Sequence, residues 1–147
     1  MEILMSGGHL TVLHPEEALI RQDSLDSNES SVMLRLEYGN FSLLLPADIG
    51  TETERHLLRE DQKLQSTVLK VAHHGSDTST SAEFLNEVHP LVAVISVGAN
   101  NLFGHPSETV LSLLRQVTGE KRLFLTSRDG TAELITDGEK LWIQTER

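Results

Sequence analysis

Apolar and polar residues alternate most regularly over residues 32–38 of the chain. The apolar positions of this segment are Val32, Leu34, Leu36 and Tyr38. A period of two is the pattern of a β-strand, in which successive side chains point to opposite faces. Gly39 and Asn40 separate it from a second apolar segment at residues 41–45, so the two segments predict a β-hairpin. The second strand is followed by Pro46, Ala47 and Asp48.

The middle of the chain predicts short helices and short strands in alternation. Sequences typical of a capping box predict helices over residues 51–60 and about 80–88. A strand is predicted at residues 67–72. Residues 91–97 are a continuous apolar run of strand length, which favours a strand buried on both faces.

The last third of the chain predicts one helix followed by several short strands. A loop at residues 98–106 leads into an apolar stripe at helical spacing, which predicts a helix over residues 107–117 with Pro106 suited to its first position. The three predicted strands cover residues 122–126, 132–136 and 141–145. Asp137 and Gly138 predict the turn between the last two strands.

This order of elements predicts one domain over residues 1–147 with an α/β layered fold, in which a mixed sheet ends in a C-terminal antiparallel meander. The polar residues 22–31 predict a loop. The longest apolar run is far shorter than the ~20 residues that a spanning helix needs. The start of the chain also lacks the pattern of a secretory signal. We therefore expect a soluble, cytoplasmic protein with no membrane segment in this chain.

Composition narrows the chemistry. The chain has no cysteine, which excludes disulfides, thiolate metal sites and cysteine nucleophiles. Its 22 Asp and Glu outnumber its 12 Lys and Arg, and a net charge of −10 argues against a general nucleic-acid binder. Aromatic residues are only 4%, which argues against a base-stacking surface. Seven histidines in such a chain make a site of oxygen and imidazole ligands the first idea to test.

Candidate side chains follow three predicted strands. Asp48 comes after residues 41–45, the pair His73 and His74 after residues 67–72, and His105 after residues 91–97. Sites of α/β proteins collect at strand ends, where these residues could bind metal or transfer protons. The simpler alternatives stay open: a turn aspartate, two polar loop residues and a helix-capping histidine.

Three segments together resemble one family. They are residues 44–48 (Leu-Leu-Pro-Ala-Asp), residues 69–79 with the motif His-His-Gly-Ser, and residues 93–107 with the motif Gly-His-Pro-Ser. They are similar to the metallo-β-lactamase-fold domain of bacterial ComEC-type DNA-uptake (competence) proteins and their soluble relatives. The resemblance implies an αββα sandwich with zinc or manganese at one sheet edge.

The resemblance also implies roles for single residues. It implies Asp48, His105 and His14 as metal ligands. It implies that His74, or His73 in its place, acts as a general acid or as an outer ligand of the metal. It also implies a catalytic role for Ser76, which lies in the same segment. The family's main metal motif, H-x-H-x-D-H, precedes all these segments and does not occur in this sequence. The chain therefore corresponds to the C-terminal part of such a domain, with an incomplete metal site.

Two functions stay open. In the first, the chain is part of a metal-dependent phosphodiesterase or nuclease in DNA uptake, inactive until an N-terminal half-domain, a second polypeptide or a symmetry mate completes it. Bound metal ions would then contact its nucleic-acid substrate. The chain would be associated with a membrane only as part of a larger channel protein. In the second, the chain is a non-catalytic half-domain that acts as an oligomer or an interaction module.

Overall fold

A computed structural model describes residues 1–5, 7–16, 27–60 and 62–147. Its centre is a seven-stranded sheet whose strands lie side by side in chain order. The strands are β1 (Glu2–Met5), β2 (Gly8–His14), β3 (Met33–Tyr38), β4 (Phe41–Leu45), β5 (Val68–Lys70), β6 (Val92–Ile95) and β7 (Leu123–Leu125). The first four pair antiparallel, and β4 to β7 pair parallel. Part of the predicted loop, residues 22–26, lies outside the described residues.

Helices connect the parallel strands. They are α1 (Thr51–Arg59), α2 (Ala82–Val88), α3 (Glu108–Thr118) and the short α4 (Thr126–Asp129), with 3-10 turns at Ala72–Gly75 and Glu120–Arg122. Side chains of α1, α2 and α3 form one core with one face of the sheet, and this is the helix face. None of the helices in the described part of the chain has the length and apolar character that a membrane crossing requires.

The opposite face of the sheet packs against a separate hairpin, β8 (Ala132–Thr136) and β9 (Leu141–Thr145). Successive residues of β5 divide between the two faces, since Val68 contacts the hairpin cluster and Leu69 the helix-side core. The mixed α/β class is confirmed. The predicted C-terminal meander is wrong, because β7 pairs with β6 inside the main sheet and only β8 and β9 pair with each other.

Both capping boxes are wrong in detail. Gly50, and not Thr51, precedes the first turn of α1, and no side chain of its own caps it. Instead Glu29, from a distant segment, accepts a hydrogen bond from the backbone N–H of Thr53 (3.1 Å) and one from its hydroxyl. In α2 the cap is Ser81, whose hydroxyl accepts from Phe84 N at 3.2 Å. The contact between Glu29 and Thr53 joins segments that are distant in the chain, so the local sequence carries no signal of it.

Other differences are smaller. Strands β1 and β2 were not predicted, because β1 is short and β2 begins at a glycine. The other predicted strands and helices are present, with ends displaced by up to two residues. Helix α3 begins at Glu108 with Ser107 as its cap, so Pro106 lies outside the helix rather than at its first position. Strand β3 buries residues on both faces: Met33 is fully buried in the helix-side core, and Leu36 packs toward the hairpin.

Candidate functional site

One edge of the main sheet collects most of the candidate residues. Strands β2, β4, β5, β6 and β7 all run in the same direction, so their carboxyl ends meet along this edge. His14 ends β2, Asp48 follows β4, His74 follows β5, and His105 lies on the loop between β6 and α3. This carboxyl edge is where sites of open α/β sheets form.

His74 is held in a defined orientation. Its Nδ1 lies 2.7 Å from the carbonyl oxygen of Ser96, and since a carbonyl can only accept, Nδ1 carries the proton. In the neutral imidazole the lone pair is then on Nε2, which lies 3.7 Å from Asp48 Oδ1. That separation is too long for a hydrogen bond, so a lone pair and a carboxylate oxygen face each other across a gap.

The backbone at this point is strained. His73 and His74 have φ of 45° and 55°, and Gly75 continues the run at 83°. Ala47, beside Asp48, also has a positive φ of 54°. A hydrogen bond from His73 N to Ala47 O (3.0 Å) joins the two strained segments. Non-glycine residues in this region each cost about 1 kcal/mol or more, and such strain is concentrated at functional sites.

Gly75 brings the two histidine-bearing loops together. Its carbonyl accepts from Ser107 N at 2.9 Å, and a β-carbon added to it would lie 2.6 Å from Pro106 Cβ. A larger residue at this position would therefore push the His-His-Gly-Ser loop away from the Gly-His-Pro-Ser loop. The positive φ of Gly75 also disfavours any other residue.

A cavity of about 460 Å³ opens beside His74 at the carboxyl edge. Its lining consists of His74, Ser96, Val97, Gly98, Asn101, Phe103, His105 and Thr126. Thr126 fixes the far wall, because its hydroxyl donates to Val97 O (2.9 Å) and accepts from Val97 N (2.8 Å). None of the described residues that line this cavity carries a carboxylate, although the chain as a whole is strongly acidic.

Three rings follow one another in this region, and two of them, Phe103 and His105, line the cavity. The His105 ring meets the His73 ring edge-on, with centroids 5.7 Å apart. On its other side it stacks with the Phe103 ring, at 5.9 Å between centroids and 16° between planes. His105 thus lies between a second histidine and an exposed aromatic ring.

Lys70 adds a charge that the sequence argument missed. It is the last residue of β5, and burial lowers the pKa of its ammonium group below the ordinary value, while the nearby Asp48 carboxylate opposes that effect. A half-buried lysine beside Asp48 makes this end of the edge more favourable for an anion. The signal was present in the sequence as a single charge at the end of an apolar strand.

Two other candidates lie apart from the cavity lining. Ser76 is buried and its hydroxyl is 2.9 Å from that of Thr78, so it acts within its own loop. His14 is only 2% exposed; its Nε2 bonds to the backbone oxygen of Glu29 at 2.7 Å, and its Nδ1 has no hydrogen-bond partner in the described residues. The roles proposed for these two residues stay predictions.

The described residues contain no group of three or more His, Asp or Glu side chains arranged to hold a metal ion. Within the candidate set, His74 Nε2 and Asp48 Oδ1 lie 3.7 Å apart and could form a pair of donors. Metal ligation by Asp48, His105 and His14 therefore stays a prediction.

Comparison with known proteins adds a family relation. No protein-family model matches the chain. ComE operon protein 3 of Bacillus subtilis is 37% identical over 122 residues, which are 83% of this chain and 15% of that protein. Competence protein ComA of Neisseria gonorrhoeae is 39% identical over 104 residues, or 70% of this chain and 14% of that protein.

Recombination protein 2 of Haemophilus influenzae is 36% identical over 110 residues, or 75% of this chain and 13% of that protein. The homologues of this chain are competence proteins of the ComE/ComEC family. The resemblance carried by the three sequence segments is confirmed to that extent. The chain spans only 13–15% of the length of these relatives. The metallo-β-lactamase fold and the C-terminal position within it stay predictions.

Proposed function

We propose that this chain is part of a metal-dependent phosphodiesterase, of the nuclease-like metallo-β-lactamase type, that takes part in DNA uptake. Its homologues are competence proteins, which supports the DNA-uptake role. The observation that carries the chemical part is the convergence of Asp48, His74 and His105 on one edge of a mixed sheet, beside a cavity that no carboxylate of the described residues lines.

The donor chemistry partly fits the proposed zinc or manganese ion. Two ligands at about 2.1 Å from a tetrahedral metal lie roughly 3.4 Å apart. The 3.7 Å between His74 Nε2 and Asp48 Oδ1 is close to that value, and the Ser96 carbonyl orients His74 as carbonyls orient metal-binding histidines. The described residues do not supply a third donor to this pair. We infer that further ligands come from a segment or chain outside the described residues.

The chain's own residues then position the substrate and move a proton. The ion, when bound, would polarise a phosphoryl oxygen and activate water. Lys70 and the carboxylate-free cavity favour an anionic phosphate at this edge. His73 and His105, whose rings touch, lie where a proton could pass to the leaving oxygen.

Metal retention by single variants tests the proposal. Asp48→Ala and His74→Ala are each expected to abolish binding of zinc and manganese, because each removes one donor of the pair. His9→Ala is the matched control, since His9 is an exposed histidine on β2 away from the carboxyl edge. Bound metal per chain is measured by plasma mass spectrometry after dialysis, and hydrolysis of a bis-nitrophenyl phosphodiester is followed in parallel.

A second candidate function explains the opposite result. If none of the proteins, wild type included, retains metal or hydrolyses the ester, the metal proposal fails. A non-catalytic half-domain that acts by association then takes its place. The exposed apolar residues of edge strand β1, Ile3 at 46% and Leu4 at 75%, favour this alternative because an open strand edge can pair with another chain. A stable oligomer in sedimentation would support it.

A further inference from the structure

We propose that Phe103, stacked on His105 at the cavity mouth, is the platform for a single unpaired nucleobase. This proposal rests on the proposed phosphodiester function, and it names the substrate class as single-stranded nucleic acid with a base read by stacking. Neither the sequence resemblance nor the comparisons assign a role to Phe103.

The loop with Leu102 and Phe103 exposes apolar surface beside the cavity. Leu102 is 99% exposed and Phe103 is 81% exposed, so two adjacent apolar side chains face solvent. Single exposed apolar residues are common, but an adjacent pair at the mouth of a cavity is typical of a contact site. The aromatic member of the pair has one ring face against His105 and leaves the other open.

The loop is built to hold this position. The side-chain amide of Asn101 donates to the backbone oxygens of Gly98 and His105 at 3.0 and 2.7 Å. Its Oδ1 accepts from the N–H groups of Phe103 and His105 at 3.2 and 3.0 Å. One side chain therefore fixes both residues of the stack, and the ring is presented in a formed loop rather than collapsed onto the core. A preformed platform loses less entropy when a ligand binds.

The lining of the cavity favours an anionic ligand over a cationic one. Among the described residues, two histidines and no carboxylate line the cavity next to the platform, although the chain carries a net charge of −10. A nucleotide can place its phosphate there and its base on Phe103. The acidic remainder of the chain disfavours a long phosphate track, so contact is limited to one or two nucleotides. The base must also be unpaired, since a paired base is already stacked within the duplex.

The low aromatic content of the sequence argues against a base-stacking surface, and the platform departs from that expectation because it needs only one ring. Base stacking on one aromatic side chain is worth about 1–3 kcal/mol, which corresponds to about 5- to 150-fold in affinity. The expected effect of removing the ring lies in that range.

Two trinucleotides of equal charge provide the test. One carries three thymines, and the other replaces each base with a tetrahydrofuran abasic unit. The full 147-residue chain is titrated against each labelled trimer by fluorescence anisotropy, with manganese and with chelator. Wild type is expected to prefer the thymine trimer by about 5- to 150-fold. Phe103→Ala is expected to lose this preference, while Phe103→Tyr and the neighbouring control Leu102→Ala keep it.

A fluorescent variant locates the contact. The chain has one tryptophan, Trp142 on β9. Phe103→Trp in a Trp142→Phe background makes the platform the single indole of the protein, and the thymine trimer is expected to quench it while the abasic trimer is not. Leu102→Trp in the same background is the control, and it should not be quenched.

Each outcome decides between the two proposals. Equal affinity of wild type for both trimers overturns the platform and leaves the phosphodiester site standing, provided Asp48→Ala weakens both. Equal loss of preference in Leu102→Ala and Phe103→Ala also overturns the platform, since general apolar contact then explains the loop. Binding of neither trimer by a chain that retains metal overturns the platform alone, whereas binding of neither trimer by a chain that also retains no metal overturns both proposals. Binding of phosphatidylglycerol vesicles through Phe103, without trimer binding, overturns the platform in favour of a membrane contact.

Discussion

The two faces of the central sheet are packed very differently. On the helix face, Phe84, Leu114 and Ile95 are fully buried in one continuous core that α1, α2 and α3 complete. On the opposite face, the cluster under the β8–β9 hairpin has three buried residues in the described chain, and its other members are only partly buried. The helix face therefore holds most of the hydrophobic stabilisation, and the hairpin face is a thin cover.

The difference has a consequence for the site. Strands β4, β5 and β6 each send a fully buried residue, Leu44, Leu69 and Ala93, into the helix-side core. The loops with Asp48, His74 and His105 leave the carboxyl ends of these same strands, and they continue into α1, α2 and α3 in turn. The candidate site is thus supported by the closely packed helix face, where a precise arrangement of side chains can be maintained.

The same substitution on the two faces should give the largest contrast. Phe84→Ala is expected to lower the free energy of unfolding by about 3–5 kcal/mol, because it leaves a cavity in a close-packed core. Phe124→Ala, on the partly buried hairpin side, is expected to cost about 1–2 kcal/mol. Chemical denaturation followed by circular dichroism measures both. Equal losses would show that the hairpin cover contributes as much as the helix-side core.

Substitutions at Glu54 test how the core on the helix face accommodates a buried polar group. Glu54 is fully buried in α1, and its carboxylate accepts from Ser81 N at 2.9 Å and from Thr80 N. Glu54→Ala leaves both N–H groups without a partner and is expected to cost roughly 1–3 kcal/mol. Glu54→Gln keeps one acceptor and should cost less. The measurement is the unfolding midpoint in urea at neutral pH.

The pH dependence of Glu54 sharpens this prediction. Burial raises the pKa of Glu54 above its ordinary value of 4.5, although the hydrogen bonds to its carboxylate oppose the shift. A raised pKa in the folded state favours the protonated form. The stabilising contribution is therefore full below pH 4.5 and is lost as the pH rises through the raised pKa. Wild type should gain stability relative to Glu54→Gln on acidification, and a constant difference between pH 4 and 8 would contradict the assignment.

The sequence predicts those parts of the fold and of the candidate site that depend on neighbouring residues, and it does not predict those that depend on contacts between distant segments. Strands β8 and β9 match the predicted ranges, because alternation and a short turn are local signals. The positions of Asp48 and His105 at one edge also follow from strand order. By contrast, the cap that Glu29 provides for α1 and the packing of Gly75 against Pro106 join distant segments. No pattern within either segment indicates them.

The smallest effect is expected at the solvent rim of the helix face. Glu37 bonds to the buried Arg35 (2.6 Å) and the exposed Lys63 (2.7 Å), and these two hydrogen bonds lower its pKa from 4.5 to about 2. A lowered folded-state pKa stabilises the protein above pH 4.5, and that contribution is lost as the pH falls toward 2.

Because Glu37 is about one-third exposed, solvent screening limits its contribution to about 0–1 kcal/mol. Glu37→Gln should therefore remove a small, acid-sensitive part of the stability, and the difference in thermal midpoint from wild type should shrink below pH 4.5 and nearly vanish at pH 2. Lys63→Ala is the matched control, since it removes one partner and keeps the Arg35 pair. Thermal melts from pH 7 to pH 2 measure both variants. A loss of stability in Glu37→Gln that persists at pH 2 would show that Glu37 acts by packing beside Arg35. The rim would then contribute to stability in the same way as the core of the helix face.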